Sequence, residues 1–424
     1  MPIELPAPDA AALALSARLS DLIRTEIAAH GGSLDFGRFM ELALYAPGLG
    51  YYSAGAAKFG AAGDFVTAPE LGALFAQCLA QALAPTLARG GDALELGPGS
   101  GALAADLLLA WERLGCLPAR YRLLERSAEL RARQQATLAA RCPHVLARCE
   151  WLDAPPAAPW NGVLVANEVL DALPVRLFEL RDAAAAPDFS SSFRRTPQSS
   201  AFGSDSEGLD TGVRRDDEQN NGERSDDERN DAQEIVARAV GVDANGAFVW
   251  REVPADAALA RAVEETLGAA AHRLPRPYRS EICPLLAPWF DAVTQTLQHG
   301  TAVFVDYGYE RTEYYAPQRH EGTLRCHYRH RAHDDPLIHV GLQDITAWVD
   351  FDALAQAARA QGWETAPLTT QAHWMIENGI DAAFEAAYAQ APGEAARYAL
   401  AQQVKRLMLP GQMGEAFKVQ LLRR

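Results

Sequence analysis

Between Ala93 and Glu125 the sequence runs from a short apolar strand, ALEL, through a glycine turn, GPGSG, into the helical stretch ALAADLLLAWERLG and out to a second strand, YRLLE. Strand, tight turn, helix and strand make a βαβ unit, the crossover that two parallel strands require because no hairpin can join them. The pattern continues with a helix through Arg141, a short strand from Cys149 to Leu152, a fourth strand GVLVAN and, much later, a fifth, TAVFVDYG. FKVQLL near the end alternates apolar and polar residues and reads as a late strand added antiparallel. The expected fold class is α/β, a mostly parallel sheet with helices on both faces.

Ahead of the sheet, residues 10–30 place Leu13, Leu15, Leu19, Leu22, Ile23 and Ile27 at helical spacing, and His30-Gly31-Gly32 stops the run. Ser33 to Tyr45 reads as a second helix with Ser33 as its N-cap, and Pro69 to Leu87 as a third. The stretch between them, APGLGYYSAGAAKFGAAGDFVTAPE, is long, aperiodic and rich in glycine and aromatics, as functional ordered loops are. From about 183 to 232 the chain becomes Ser, Asp, Glu, Arg, Asn and Gly with almost no large apolar side chain. Such a segment buries too little surface to offset its ordering entropy and reads as a disordered insertion, either a solvated spacer or an acidic docking tail. Its flanks, VRLFEL and EIVARAVGVDANGAFVWREV, read as strands, with Asn245-Gly246 as a hairpin turn. The insertion is then the overgrown loop of a small β-excursion.

Charge and composition exclude several classes. With 55 Asp+Glu against 39 Lys+Arg the formal net charge is −16, which argues against a bulk electrostatic grip on nucleic acid. No apolar run approaches the roughly 18–20 residues of a membrane span. The N-terminus lacks a basic n-region and is broken by Arg18 and Asp21, so no secretory or transit signal is expected. The six cysteines form no CxxC pair and read as reduced thiols of a cytoplasmic protein. Nothing in the sequence fixes an oligomeric state.

The turn Glu95-Leu96-Gly97-Pro98-Gly99-Ser100-Gly101, with Glu125 closing the next strand, points to a nucleoside cofactor. The glycines let the backbone approach a ligand, and an acidic strand end accepts hydrogen bonds from ribose hydroxyls. NAD and S-adenosylmethionine both meet this pattern. The glycines fall at every second position rather than as G-x-G-x-x-G, and Glu95 is poor company for a pyrophosphate. Charge complementarity with a sulfonium and an ammonium favours the methyl donor; the bland alternative for Glu95 is a solvated strand-end carboxylate. The fourth strand ends in Asn167-Glu168-Val169-Leu170-Asp171, where ligands of open parallel sheets meet the reacting atoms. Two carboxylates there suit a cationic acceptor, above all a guanidinium. The alternative is that Glu168 or Asp171 merely caps the next helix.

GDFVTAPELGALFAQ, LELGPGSGALAADLL, NEVLDALPV, VFVDYGY and the tract from Gly322 through HRAHDDPLIHVGLQDITAWVDF together resemble the MidA-like family, in order over most of residues 30–351. That family includes a mitochondrial complex I assembly-factor arginine methyltransferase. The resemblance implies a class I (Rossmann-like) methyltransferase core, S-adenosyl-L-methionine as donor and a protein arginine as acceptor. Carried over, Glu95, Gly97, Gly99 and Gly101 match the donor motif and Glu125 the ribose position. Thr67, Pro69 and Glu70 belong to a signature expected to close over the donor. Asn167, Glu168 and Asp171 match the motif after the fourth strand and are the expected catalytic residues. His330, His333 and Asp334 match a histidine signature with no assigned role; Pro336 and the surrounding arginines argue against a metal there, and no metal site is expected. The expected organisation is 1–90, a helical extension with a donor-covering loop; 91–182, the first part of the core; 183–232, the insertion; 233–300, an accessory hairpin and helices; and 301–424, the remainder. Two rival functions stay open: an assembly factor or binding module that retains the donor pocket, and a small-molecule O- or N-methyltransferase.

Overall fold

The computed structural model describes residues 5–53, 67–182 and 233–424. The insertion read at 183–232 and residues 54–66 of the long aromatic loop lie outside the described residues.

The strands of the core are β1 (Asp92–Leu96), β2 (Tyr121–Leu124), β3 (Cys149–Leu152), β4 (Trp160–Asn167), β5 (Leu297–Tyr309) and β6 (Phe417–Arg423). They lie side by side in the order β3-β2-β1-β4-β5-β6. All neighbours are parallel except β6, which runs antiparallel to β5 from Thr301↔Arg423 to Tyr307↔Phe417. The chain moves outward from β1 to β3, then returns to the other side of β1 as β4. That reversal opens a crevice at the carboxyl ends of β1 and β4, where open α/β sheets bind ligands.

Alternation along the strands feeds two cores. Val163, Val165, Val303 and Val305 face one side, against Leu79 of the helix Leu74–Leu87 and Leu107 and Trp111 of the helix Ala102–Arg113. Leu164, Ala166, Ala302 and Phe304 face the other, against Phe290 of Leu286–Thr294 and Leu354 of Phe351–Ala360. Burying each large apolar side chain contributes roughly 1.5–3 kcal/mol, and both faces must be apolar because both are covered.

The β-excursion is a second, antiparallel sheet. Arg176–Asp182 pairs with Gln233–Val242 from Leu177↔Arg238 to Asp182↔Gln233, and Gln233–Val242 pairs in turn with Phe248–Pro254. Ser33–Asp35 forms its edge strand (Ser33↔Gly241), which corrects the helix read from Ser33. The helix begins at Phe36, and Asp35, not Ser33, caps it by accepting from the Gly37 N–H at 2.9 Å. The stretch read as one helix from Pro69 is also two: Ala68–Leu71, a break at Gly72 with φ +137°, then Leu74–Leu87. A side chain at Gly72 would come within 2.8 Å of Gln403, so the break is also a close approach. A third small sheet pairs Arg325–Tyr328 with both Arg331–His333 and Asp344–Thr346. Among the described residues no helix is long and apolar enough to cross a membrane.

Candidate active site

The glycine turn follows β1 directly. Gly97, Gly99 and Gly101 have φ of +59°, +52° and +82°, a region that L side chains rarely enter. A Cβ on Gly97 would also lie 3.1 Å from Val169 Cγ2, on the segment after β4. The turn borders a cavity of about 520 Å³ at the crevice between β1 and β4. Gly97, Gly99, Glu95 and Glu125 line it, whereas Gly101 lies behind the turn and starts the helix Ala102–Arg113.

Glu95 is 2 % exposed, so it is not a solvated strand end. Tyr121 Oη donates to its Oε2 at 2.7 Å, and burial pushes the carboxyl up to about 7 while that bond pulls it back. Glu125 Oε1 accepts from the Ser127 N–H at 2.8 Å and Oε2 from Gln134 Nε2 at 3.2 Å; burial raises this carboxyl too. Gln134 is fully buried and donates as well to the Gly99 carbonyl at 3.0 Å, tying the strand-end acid to the glycine turn. No motif flagged Gln134, since a lone Gln inside a helix carries no local signal. Thr67, Pro69 and Glu70 also line the cavity. Thr67 precedes the short helix, and the Ser100 hydroxyl donates to Glu70 Oε1.

Asn167, Glu168 and Asp171 line the other half of the same cavity. Glu168 sits at φ +53°, unusual for a side chain with a Cβ. The cause is Asp306, on β5 and 1 % exposed. Its Oδ2 accepts from three successive amides, Val169 at 3.1 Å, Leu170 at 2.8 Å and Asp171 at 3.2 Å, and its Oδ1 from Tyr307 at 2.9 Å. The segment is wrapped around one carboxylate. Asp306 lies inside the strand motif VFVDYG, where an acid among apolar residues is its one local signal. No helix follows Asp171, which corrects the capping alternative; the chain turns into Arg176–Asp182.

Electrostatically the two halves differ. Burial, then the neighbouring Asp306, pushes Glu168 up to about 8, and burial pushes Asp306 up to about 7. Asp171 is raised well above the carboxylate range by burial, then by Asp306, Asp344 and Glu168. Among the described residues no cation offsets Glu168, Asp171 or Asp306. Asn167 Nδ2 donates to Glu168 Oε1 at 3.0 Å, while Asn167 Oδ1 is buried with no hydrogen-bond partner among the described residues. The Ala68 N–H also bonds the Glu168 carboxylate. Tyr45, Tyr52 and Tyr307 complete the walls, with Tyr52 Oη donating to Asp344 Oδ1 at 2.9 Å.

The histidine signature separates. His330 lies at φ +62° in the exposed turn of the third sheet, Asp334 pairs with Arg325, and His333 Nδ1 accepts from the Asp335 N–H at 3.3 Å. It is His327 that reaches the cavity. Among the described residues no cluster of His, Cys, Asp and Glu could hold a metal ion.

The residues fit a sulfonium nucleoside. The turn offers backbone at positions that no Cβ crowds, and Glu95 is a buried carboxyl whose one stabilising partner is a tyrosine hydroxyl. Glu125 stands ready-oriented at the end of β2. The volume is that of a nucleoside-sized ligand, and the acidic lining disfavours a pyrophosphate.

Comparison with known proteins agrees. A family profile described as S-adenosyl-L-methionine-dependent methyltransferase matches residues 71–369. A protein from Burkholderia thailandensis, crystallised with S-adenosyl-homocysteine, is 37% identical, covers 99% of this chain and 95% of its own, and superposes with a TM-score of 0.81. The mouse protein arginine methyltransferase NDUFAF7, mitochondrial, is 26% identical over 414 residues, spanning 91% of this chain and 80% of its own. Its human counterpart is 24% identical over 425 residues, with 91% and 79% covered.

Proposed function

Because the chain belongs to the family of S-adenosyl-L-methionine-dependent methyltransferases and uses S-adenosyl-L-methionine as its cofactor, we propose that its methyl acceptor is an arginine guanidinium on a protein. The observation that carries the reading is the set of buried carboxyl groups Glu168, Asp171 and Asp306, held together with no described cation among them. Buried charges are kept only when paired, so such a set is built for a cation that arrives as ligand. A guanidinium supplies five donors in a planar fork, enough for two carboxylates and the orphan Asn167 Oδ1. The relatives named as protein arginine methyltransferases support the same acceptor.

The cofactor supplies a methyl group already activated on a sulfonium, so the protein's work is positioning. In this reading Gly97, Gly99 and Glu95 hold the amino-acid end, Glu125 the ribose, and Thr67, Pro69 and Glu70 close over it. Glu168 and Asp171 grip the guanidinium and fix which nitrogen faces the methyl carbon. Asn167 accepts one further N–H. Asp306 acts as a positioning residue, because it shapes the segment that carries both carboxylates. Tyr45, Tyr52 and Tyr307 keep water from the acceptor and strengthen those contacts. The compartment proposed is the cytoplasm, where six free cysteines stay reduced.

The test is mass spectrometry of arginine methylation in cells with and without the gene. A methylarginine site that disappears with the gene is the expected result. Methylation confined to a small molecule would favour the rival that the three tyrosine walls could also serve.

A further inference from the structure

Methylating a guanidinium releases one proton. The acceptor enters as a cation, gains a methyl cation as the carbon–sulfur bond breaks, and stays a cation only if an N–H proton leaves. The groups described so far are poor recipients. Glu168 and Asp171 are occupied by the charge they hold, and burial raises the hydroxyls of Tyr45, Tyr52 and Tyr307, leaving them neutral.

His327 stands elsewhere on the same wall. It lies on Arg325–Tyr328, directly opposite Asp344 in antiparallel register. Alternation turns Cys326 and Ile345 into the core, both fully buried, and leaves His327, Asp344 and Thr346 facing the cavity. Asp344 is fixed by the Tyr52 hydroxyl at 2.9 Å and by the Ile345 N–H at 3.0 Å. It is also close enough to Glu168 and Asp171 to act on both electrostatically. A histidine beside a fixed carboxylate, on the wall that adjoins an acidic ligand site, has the arrangement of a general base and its orienting partner.

We propose that His327 is a catalytic residue that accepts the proton leaving the methylated nitrogen, with Asp344 as the positioning residue that orients its imidazole. The inference rests on the arginine reading for the identity of the nitrogen. The titratable groups lining the same part of the cavity as His327 include Asp344, Tyr45, Tyr52, Tyr307, Glu168 and Asp171.

The experiment follows transfer from tritiated S-adenosyl-L-methionine into an extract of gene-deleted cells between pH 5.5 and 9, with the label then traced to amino acids. Wild type should show an acidic limb, where the accepting base becomes protonated. His327→Gln should lower the rate by about a hundredfold and remove that limb, while S-adenosyl-homocysteine affinity by calorimetry stays within about twofold. Asp344→Asn should shift the limb rather than abolish it. Free imidazole should restore transfer in His327→Ala and not in Glu168→Gln, which keeps the test open if the Gln variant misfolds. A His327→Gln enzyme with the wild-type rate and limb overturns the inference, as does a change in acceptor KM alone, or no transfer by wild type. Label found outside methylarginine overturns the arginine reading, while the variants still decide the role of His327.

Discussion

The two halves of the cavity are built on different principles. The half proposed for the donor is drawn mostly from one stretch, Glu95 to Ser100, with Glu125, and its defining property is backbone shape. Its carboxylates are held by a tyrosine, an amide and a glutamine. The half proposed for the acceptor is gathered from Tyr52, Glu168, Asp171, His327 and Asp344, with Asp306 behind it, and its defining property is a crowd of buried carboxyl groups with no cation among the described residues. One half therefore fails by steric obstruction, the other by neutralisation.

The largest effect should come from obstructing the donor half. Gly99→Val places a β-branched residue at φ +52°. Strain of roughly 1–3 kcal/mol, added to lost space, should lower S-adenosyl-homocysteine affinity by about a hundredfold or more. Calorimetric titration measures it, and unchanged affinity would remove the turn from the donor site. Next is neutralisation. Glu168→Gln should slow single-turnover transfer about ten- to a hundredfold, from about 1.5–3 kcal/mol of lost charged hydrogen bonding, with donor affinity nearly intact. Loss of donor affinity instead would erase the boundary between the halves.

A smaller effect concerns pH. Glu168 near 8, with Glu95 and Asp306 near 7, keeps protons that the unfolded chain releases around pH 4–5. The folded state then binds more protons than the unfolded one, so stability falls as pH rises from about 5 to about 8. Thermal melts of Glu168→Gln should fall less steeply across that window, and an identical slope would show that Glu168 is not raised. The smallest effect belongs to the 183–232 segment. Asp182 and Gln233 face one another in register, so replacing 183–232 by Asn-Gly should close an ordinary hairpin. Donor affinity and melting temperature should change little; a large loss in either would make the segment structural.

The same contrast explains what could be read from the sequence. The parallel sheet, its late antiparallel strand and the glycine turn follow from local periodicity and backbone demands, which the sequence states directly. Ser33 was misread because its pairing partner, Gly241, is remote, and Pro69 to Leu87 because the contact between Gly72 and Gln403 is tertiary. Asp306, Gln134 and His327 stand singly in strands or helices, and only folding brings His327 to the cavity and the other two against the segments that line it.

The crowded carboxylates have a consequence for descent. Glu168 and Asp171 are carried against the interest of the folded state, whereas Gly97 and Gly99 occupy positions where replacement introduces strain. A copy of this chain released from its acceptor would drift in one direction: neutral residues would enter the acidic half, each with a gain in stability, while the glycine turn stayed. The expected relic is a protein that still binds the nucleoside and transfers nothing.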